Sequence, residues 1–313
     1  MSKLKAIFSK NCNYIYHMMS VSKCGYDNEY GNKYRIYHAQ TDLQVLNKYE
    51  KLITIKGGEH IGELYGFCVS APALLDDNVS LDNYFEALID IFENGDFEKN
   101  LEKYKSVYES AFPGVPINAD TQKQFYSIFP QDKKELIDIY KVLCNNYSIY
   151  NDKIWETSKK ELTVAVDELN KLLSEVDYIN EWEKILDYKY NRSNFYAVIC
   201  NSLKGGAQCI DAFSQSKNIF NIPDNYSSAV KLISHEFGIG MLIEILSEPQ
   251  AFYTYYEITE SLAEYFNIII SGGHDDFNWF KEYQDFYKEL REKNPQISVK
   301  DMFLQAVNSF KNK

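Results

Sequence analysis

Two short stretches hold the residues best suited to chemistry. In VKLISHEFGIGML (230–242), His235 and Glu236 interrupt a run that is otherwise almost wholly apolar. In YYEITESLAEYFNIII (255–270), Glu260 and Glu264 stand at i and i+4, one above the other on a helical face. A carboxylate in apolar surroundings needs a cation or hydrogen-bond donors, or its pKa rises. An imidazole with three carboxylates could therefore hold a metal ion or perform general acid–base chemistry. The ordinary alternative is a satisfied polar pair in one helix and exposed acids on the next.

The arrangement LISHEFGIG, then a loop, then TESLAEYF resembles the gluzincin type of zinc metallopeptidase. In that family His-Glu-x-x-His supplies two ligands and the general base, and a Glu on the next helix supplies the third ligand. The resemblance implies His235 and Glu260 as metal ligands, Glu236 as the catalytic base and Glu264 as the carboxylate behind the ligands. It also implies an edge strand upstream of the active-site helix that binds peptide, a place occupied here by NFYAVICNSLKGGAQCIDAF (194–213). It covers residues 194–270.

The motif departs from the family at one position. Where the second histidine belongs, the chain has Ile239. Catalytic zinc takes three protein ligands and leaves a fourth position for water; His235 and Glu260 make two. His274, in SGGHDDF, is the candidate substitute, or a donor to the transition state, with Asp275 and Asp276 beside it. Its ordinary reading is a loop residue ahead of a capped helix. His60 belongs to a surface loop or reaches the cleft from the first lobe. His17 and His38 have no supporting context. Tyr253, Tyr255 and Tyr256 precede the second helix, where one could donate to an oxyanion.

The elements that must position these groups are legible in outline. Gly238 and Gly240 each cost about 1 kcal/mol relative to Ala inside a helix, which suggests close approach by another backbone or a bound molecule. Helical spacing marks 226–247 and 256–270, followed by 276–292 and 299–311. Upstream, 194–203, 207–213 and 217–223 are rich in strand formers, with Lys204-Gly205-Gly206 as a turn between the first two. These predict a small antiparallel sheet. Earlier, Ser80 and Gly95 bracket a helix, and further helical patterns cover 96–111, 119–128, 131–149 and 151–176. The segments 33–40 and 63–71 suit strands or short helices equally. The expected fold is α+β and predominantly helical: a helical N-terminal lobe (1–190) and a zincin-like C-terminal lobe (191–313) with the sheet and the helix pair.

Composition narrows the function classes. The 313 residues carry a net charge of −12, which disfavours a nucleic-acid surface and an anionic membrane surface. The apolar fraction of 45% suffices for a large core. Six scattered cysteines without a Cys-x-x-Cys pair argue against a disulfide framework or a thiolate zinc site. The first residues lack the continuous apolar segment of a signal peptide, and the best apolar run, Phe266–Ile270, is too short to span a membrane. A cytoplasmic location is expected. Three functions fit: an inactive or impaired peptidase scaffold binding a peptide or protein in its cleft, an active zinc hydrolase with an unconventional third ligand, or an unrelated helical binding protein.

Overall fold

The computed structural model describes residues 3–25, 27–56, 60–129, 133–203, 207–210, 216–246, 255–271 and 281–310, with backbone alone at 56, 60 and 207–210. The chain begins with β1 (Lys3–Ile7), α1 (Lys10–Ser22) and α2 (Glu29–Tyr34), which continues into a 3-10 turn (Arg35–Tyr37). Next come α3 (Gln40–Lys48), α4 (Glu50–Ile53) and a ribbon of β2 (Ile55–Lys56) and β3 (His60–Ile61). A π turn (Gly66–Ser70) runs into α5 (Ala71–Leu74), so both segments left open by the sequence are helical. Then follow α6 (Leu81–Asn94), α7 (Phe97–Ala111) and α8 (Ala119–Ser127). Gly95 ends α6 in the left-handed region (φ 68°), whereas Ser80 bonds its hydroxyl to Asp82 instead of to a backbone N–H.

One rod combines α9 (Lys134–Tyr150), a π turn (Asn151–Trp155) and α10 (Glu156–Leu173). After it come α11 (Tyr178–Leu186), β4 (Asn194–Cys200), β5 (Ala207–Ile210) and β6 (Lys217–Asn221). The chain closes with α12 (Tyr226–Leu246), α13 (Tyr256–Ile270), α14 (Lys281–Lys293) and α15 (Val299–Phe310). No helix among the described residues is long and apolar enough to cross a membrane.

The sheet corrects the sequence reading. Its order is β1-β4-β6-β5; β1 and β6 both run parallel to β4, and β5 alone is antiparallel, on the far side of β6. The expected hairpin between 194–203 and 207–213 does not form, because β6 takes the edge of β4 that β5 was assigned. The N-terminal strand, unanticipated, takes the other edge, with Leu4 opposite Phe195 and Ala6 opposite Ala197. Every residue of β4 from Ala197 to Cys200 is buried, as parallel strands covered on both faces require.

The pleat assigns alternate residues to different cores. Val198, Cys200 and Ile219 face a first core built around α1, α6 and α9. Leu4, Ala6, Phe195, Ala197, Ile199 and Phe220 face a second, built from α10 to α15. The α9–α10 rod crosses between them, and Trp155 at its π turn packs against both. A division at residues 190 and 191 therefore does not follow the packing: β1, α10 and α11 precede it in sequence but bury their apolar faces with the C-terminal helices.

Candidate functional site

Helix α12 buries His235 within the second core and leaves Glu236 half-buried beside it. Asn225 caps its start, with Oδ1 accepting from the Ser228 amide at 3.0 Å. Its seating depends on Trp182 of α11. The indole N–H donates to Ser234 Oγ at 2.9 Å, and its six-membered ring abuts Gly238, where an added Cβ would fall 2.3 Å from the nearest indole carbons. The close approach expected at Gly238 is thus to an aromatic side chain. Among the described residues beyond the helix's own neighbouring turns, nothing lies within 4 Å of a Cβ placed at Gly240, so no close approach is seen there.

The i, i+4 carboxylates of α13 grip the His235 ring from both sides. His235 Nε2 is 2.9 Å from Glu260 Oε2, and Nδ1 is 2.9 Å from Glu264 Oε2. With a carboxylate at each nitrogen, the ring is a double donor, the protonated form. Burial by itself opposes that charge, since His235 is 1% exposed. Hydrogen bonds to Glu260 and Glu264, with the charges of Glu260 and Glu236, outweigh burial and raise the imidazole pKa to about 10. Tyr256, at the start of α13, directs its hydroxyl to Glu260; burial pushes that phenol up to about 12. Tyr255 instead packs its ring against Phe303.

Glu236 points the other way, toward the sheet. Asn218 of β6 donates Nδ2 to its Oε2 at 2.8 Å, while Asn218 Oδ1 accepts from the Ile219 amide at 2.7 Å. Burial is the main cause that raises the Glu236 carboxyl, to about 7; the Glu260 charge adds to it, and His235 and Asn218 work against it. A carboxyl with that pKa can take and release a proton near neutrality.

His235, Glu260 and Glu264 are thus brought together, with Glu236 beside them on the sheet side. Ile239, at the place of the second imidazole, is 1% exposed within the second core. His60 stands in the β2–β3 ribbon, paired with Lys56. His274, Asp275, Asp276 and Tyr253 lie outside the described residues. Among the described residues no set of three or more His, Cys, Asp and Glu side chains is arranged to hold a metal ion. Among the described residues the donors fall short of a three-ligand catalytic zinc: His235 Nε2 and Glu260 are in direct contact, Nδ1 is taken by Glu264, and the next position is hydrocarbon.

Two contributors escaped the sequence reading. Asn218 carried no distinguishing signal, since Lys217 and Asn221 are also polar in the same five-residue strand. Trp182 carried none, because its role exists only once the fold brings its side chain against Ser234 and Gly238 of α12. Comparison with known protein families, curated proteins and solved structures finds no match to this chain.

Proposed function

We propose that this chain is a metallopeptidase-like protein with an incomplete zinc site, an inactive or impaired scaffold that binds a peptide or protein segment. The observation that carries this reading is the His235 ring, held at 2.9 Å from carboxylates of the neighbouring helix at both nitrogens, with Ile239 where a second ligand would stand. A gluzincin-like helix pair explains why an imidazole and three carboxylates share a helix junction, and Ile239 explains why they neutralise each other. The antiparallel edge strand β5, beside the strand that leads into α12, supports peptide binding along the sheet edge.

The test is metal analysis of protein purified without chelator, with Ile239→His in parallel. Wild type should hold no stoichiometric zinc, and Ile239→His should raise zinc affinity by about 100-fold or more, as a third ligand completes the set. No gain in the variant would remove the family resemblance and leave a helical binding protein. A second reading, an active hydrolase, draws on Glu236, whose pKa near 7 suits a general base. It requires a third ligand from elsewhere in the chain. Stoichiometric zinc in wild type, lost in His235→Ala, would establish it over the first.

A further inference from the structure

The first core contains a second histidine cluster, on which the sequence conferred no role. His17 of α1 and His38, between the 3-10 turn and α3, meet Nε2 to Nε2 at 2.8 Å. They are 0% and 8% exposed. His38 Nδ1 lies 2.8 Å from Asn146 Oδ1, and His17 Nδ1 lies 3.0 Å from the Tyr30 hydroxyl.

Asn146 sets the direction of every bond in this chain. Its Nδ2 donates to Asp42 Oδ2 and to the Val142 carbonyl, both at 2.8 Å, so Oδ1 must accept. His38 therefore carries its proton on Nδ1 and offers Nε2 as a lone pair. His17 donates from Nε2, which leaves its Nδ1 to accept from Tyr30. Both rings are neutral, with one tautomer each. A proton added at His17 Nδ1 displaces the Tyr30 donor. A second, at His38 Nε2, sets N–H against N–H across 2.8 Å, and the contact must open.

The groups around the pair do little to welcome that charge. Tyr30 and Tyr34 face His17 from α2, and Tyr150 faces it from α9 with ring centroids 4.9 Å apart. Asp42 of α3 is the carboxylate that reaches His38, from behind Asn146. Glu161 and Cys200 stand beyond Tyr30, and Lys33 lies over the Tyr34 ring. Burial holds His17 well below its ordinary value, helped by His38; burial also lowers His38, against Asn146 and Asp42.

The pair fastens one end of a short segment, together with Arg35, whose Nε donates to the Val21 carbonyl of α1 at 2.6 Å. At the other end Asn28 is held three ways: Oδ1 accepts from Ser20 Oγ at 2.6 Å and from the Gly31 amide at 2.8 Å, and Nδ2 donates to the Ser202 carbonyl at 2.9 Å. Between the two ends Ile36 and Tyr37 are exposed on the outer side. We propose that the His17–His38 contact is an acid-opened latch, which holds residues 29–38 on α1 at neutral pH and frees their far end, about the Asn28 anchor, once both rings are protonated.

Amide hydrogen exchange, expressed as protection factors to remove the intrinsic pH dependence, tests this. Between about pH 7.5 and about pH 5, where histidine titrates, protection at residues 35–38 should fall more than about tenfold, and further than in α6. The His17→Gln, His38→Gln double variant, neutral at both pH values, should lose that difference. Equal loss in α6 would mean global unfolding and overturn the proposal; so would a pH-independent wild type or an unchanged double variant. If the double variant does not fold, imidazole nitrogen shifts of wild type near neutral pH decide. The latch requires protons on His17 Nε2 and His38 Nδ1, and any other tautomer overturns it.

Discussion

The two histidine clusters use the same side chain at the same depth and hold it in opposite charge states. His235 has a carboxylate at each nitrogen and is held protonated, with its pKa raised to about 10. His17 has another imidazole and a phenol, and burial keeps it neutral. Depth does not decide the charge of a buried histidine. Partners decide it: hydrogen bonds to two anions exceed the desolvation penalty, and hydrogen bonds to neutral groups do not.

Removing the cation should have the largest effect. His235→Ala leaves Glu260 and Glu264 buried, adjacent and without their counter-charge, and should cost about 3–5 kcal/mol in urea unfolding. A loss under about 1 kcal/mol would mean the carboxylates find other partners and the clamp is incidental. Next is the seat of α12. Gly238→Ala places a methyl group 2.3 Å from the fully buried Trp182 ring, and should cost about 1–3 kcal/mol through forced repacking. An unchanged unfolding midpoint would show that α11 shifts freely and that the His235 geometry does not depend on it.

The pH dependence of stability should divide between the clusters. His235 binds its proton more tightly folded (about 10) than unfolded (6.5), so its contribution is complete below pH 6.5 and is lost as pH rises through 10. Glu236, raised from 4.5 to about 7, adds a loss of the same sign between those values. His17 and His38 act in reverse: their folded values lie below 6.5, so their contribution is present above pH 6.5 and is lost on acidification. Urea midpoints across this range should show an alkaline decline flattened by His235→Gln and an acid decline flattened by His17→Gln. If one variant flattens both limbs, the clusters are not independent. The smallest effect belongs to Gly240→Ala. With nothing among the described residues within 4 Å of where the Cβ would stand, it should stabilise by about 0.5–1 kcal/mol, opposite in sign to Gly238→Ala.

Legibility followed sequence distance. The α12 and α13 helices, and the shared face of Glu260 and Glu264, were readable because helical periodicity is local. The direction in which His235 points was not, although its two partners at i and i+4 made a clamp geometrically available. The parallel sheet was unreadable. Strand β1 is five residues long with alternate lysines, and its partner begins at Asn194; no local pattern joins them. The hairpin inferred from Lys204-Gly205-Gly206 failed for the same reason, since β6 was a better neighbour for β4 than the segment nearest in sequence. His17 and His38 seemed contextless because Asn146, which orients both, arrives from another helix.

The sequence by itself determined a predominantly helical chain, the run of apolar residues around His235-Glu236, and the substitution of hydrocarbon for imidazole at Ile239. These are properties of residue type and of spacing within one helix, where geometry is repeated and local. Tertiary structure alone decided which core each face of the sheet joins, and that Trp182 closes over Gly238. It also decided that one buried histidine is charged and another neutral. Those outcomes depend on groups distant in sequence meeting within hydrogen-bond range, where the energies that set a proton's position are determined by the partner and not by the residue that holds it.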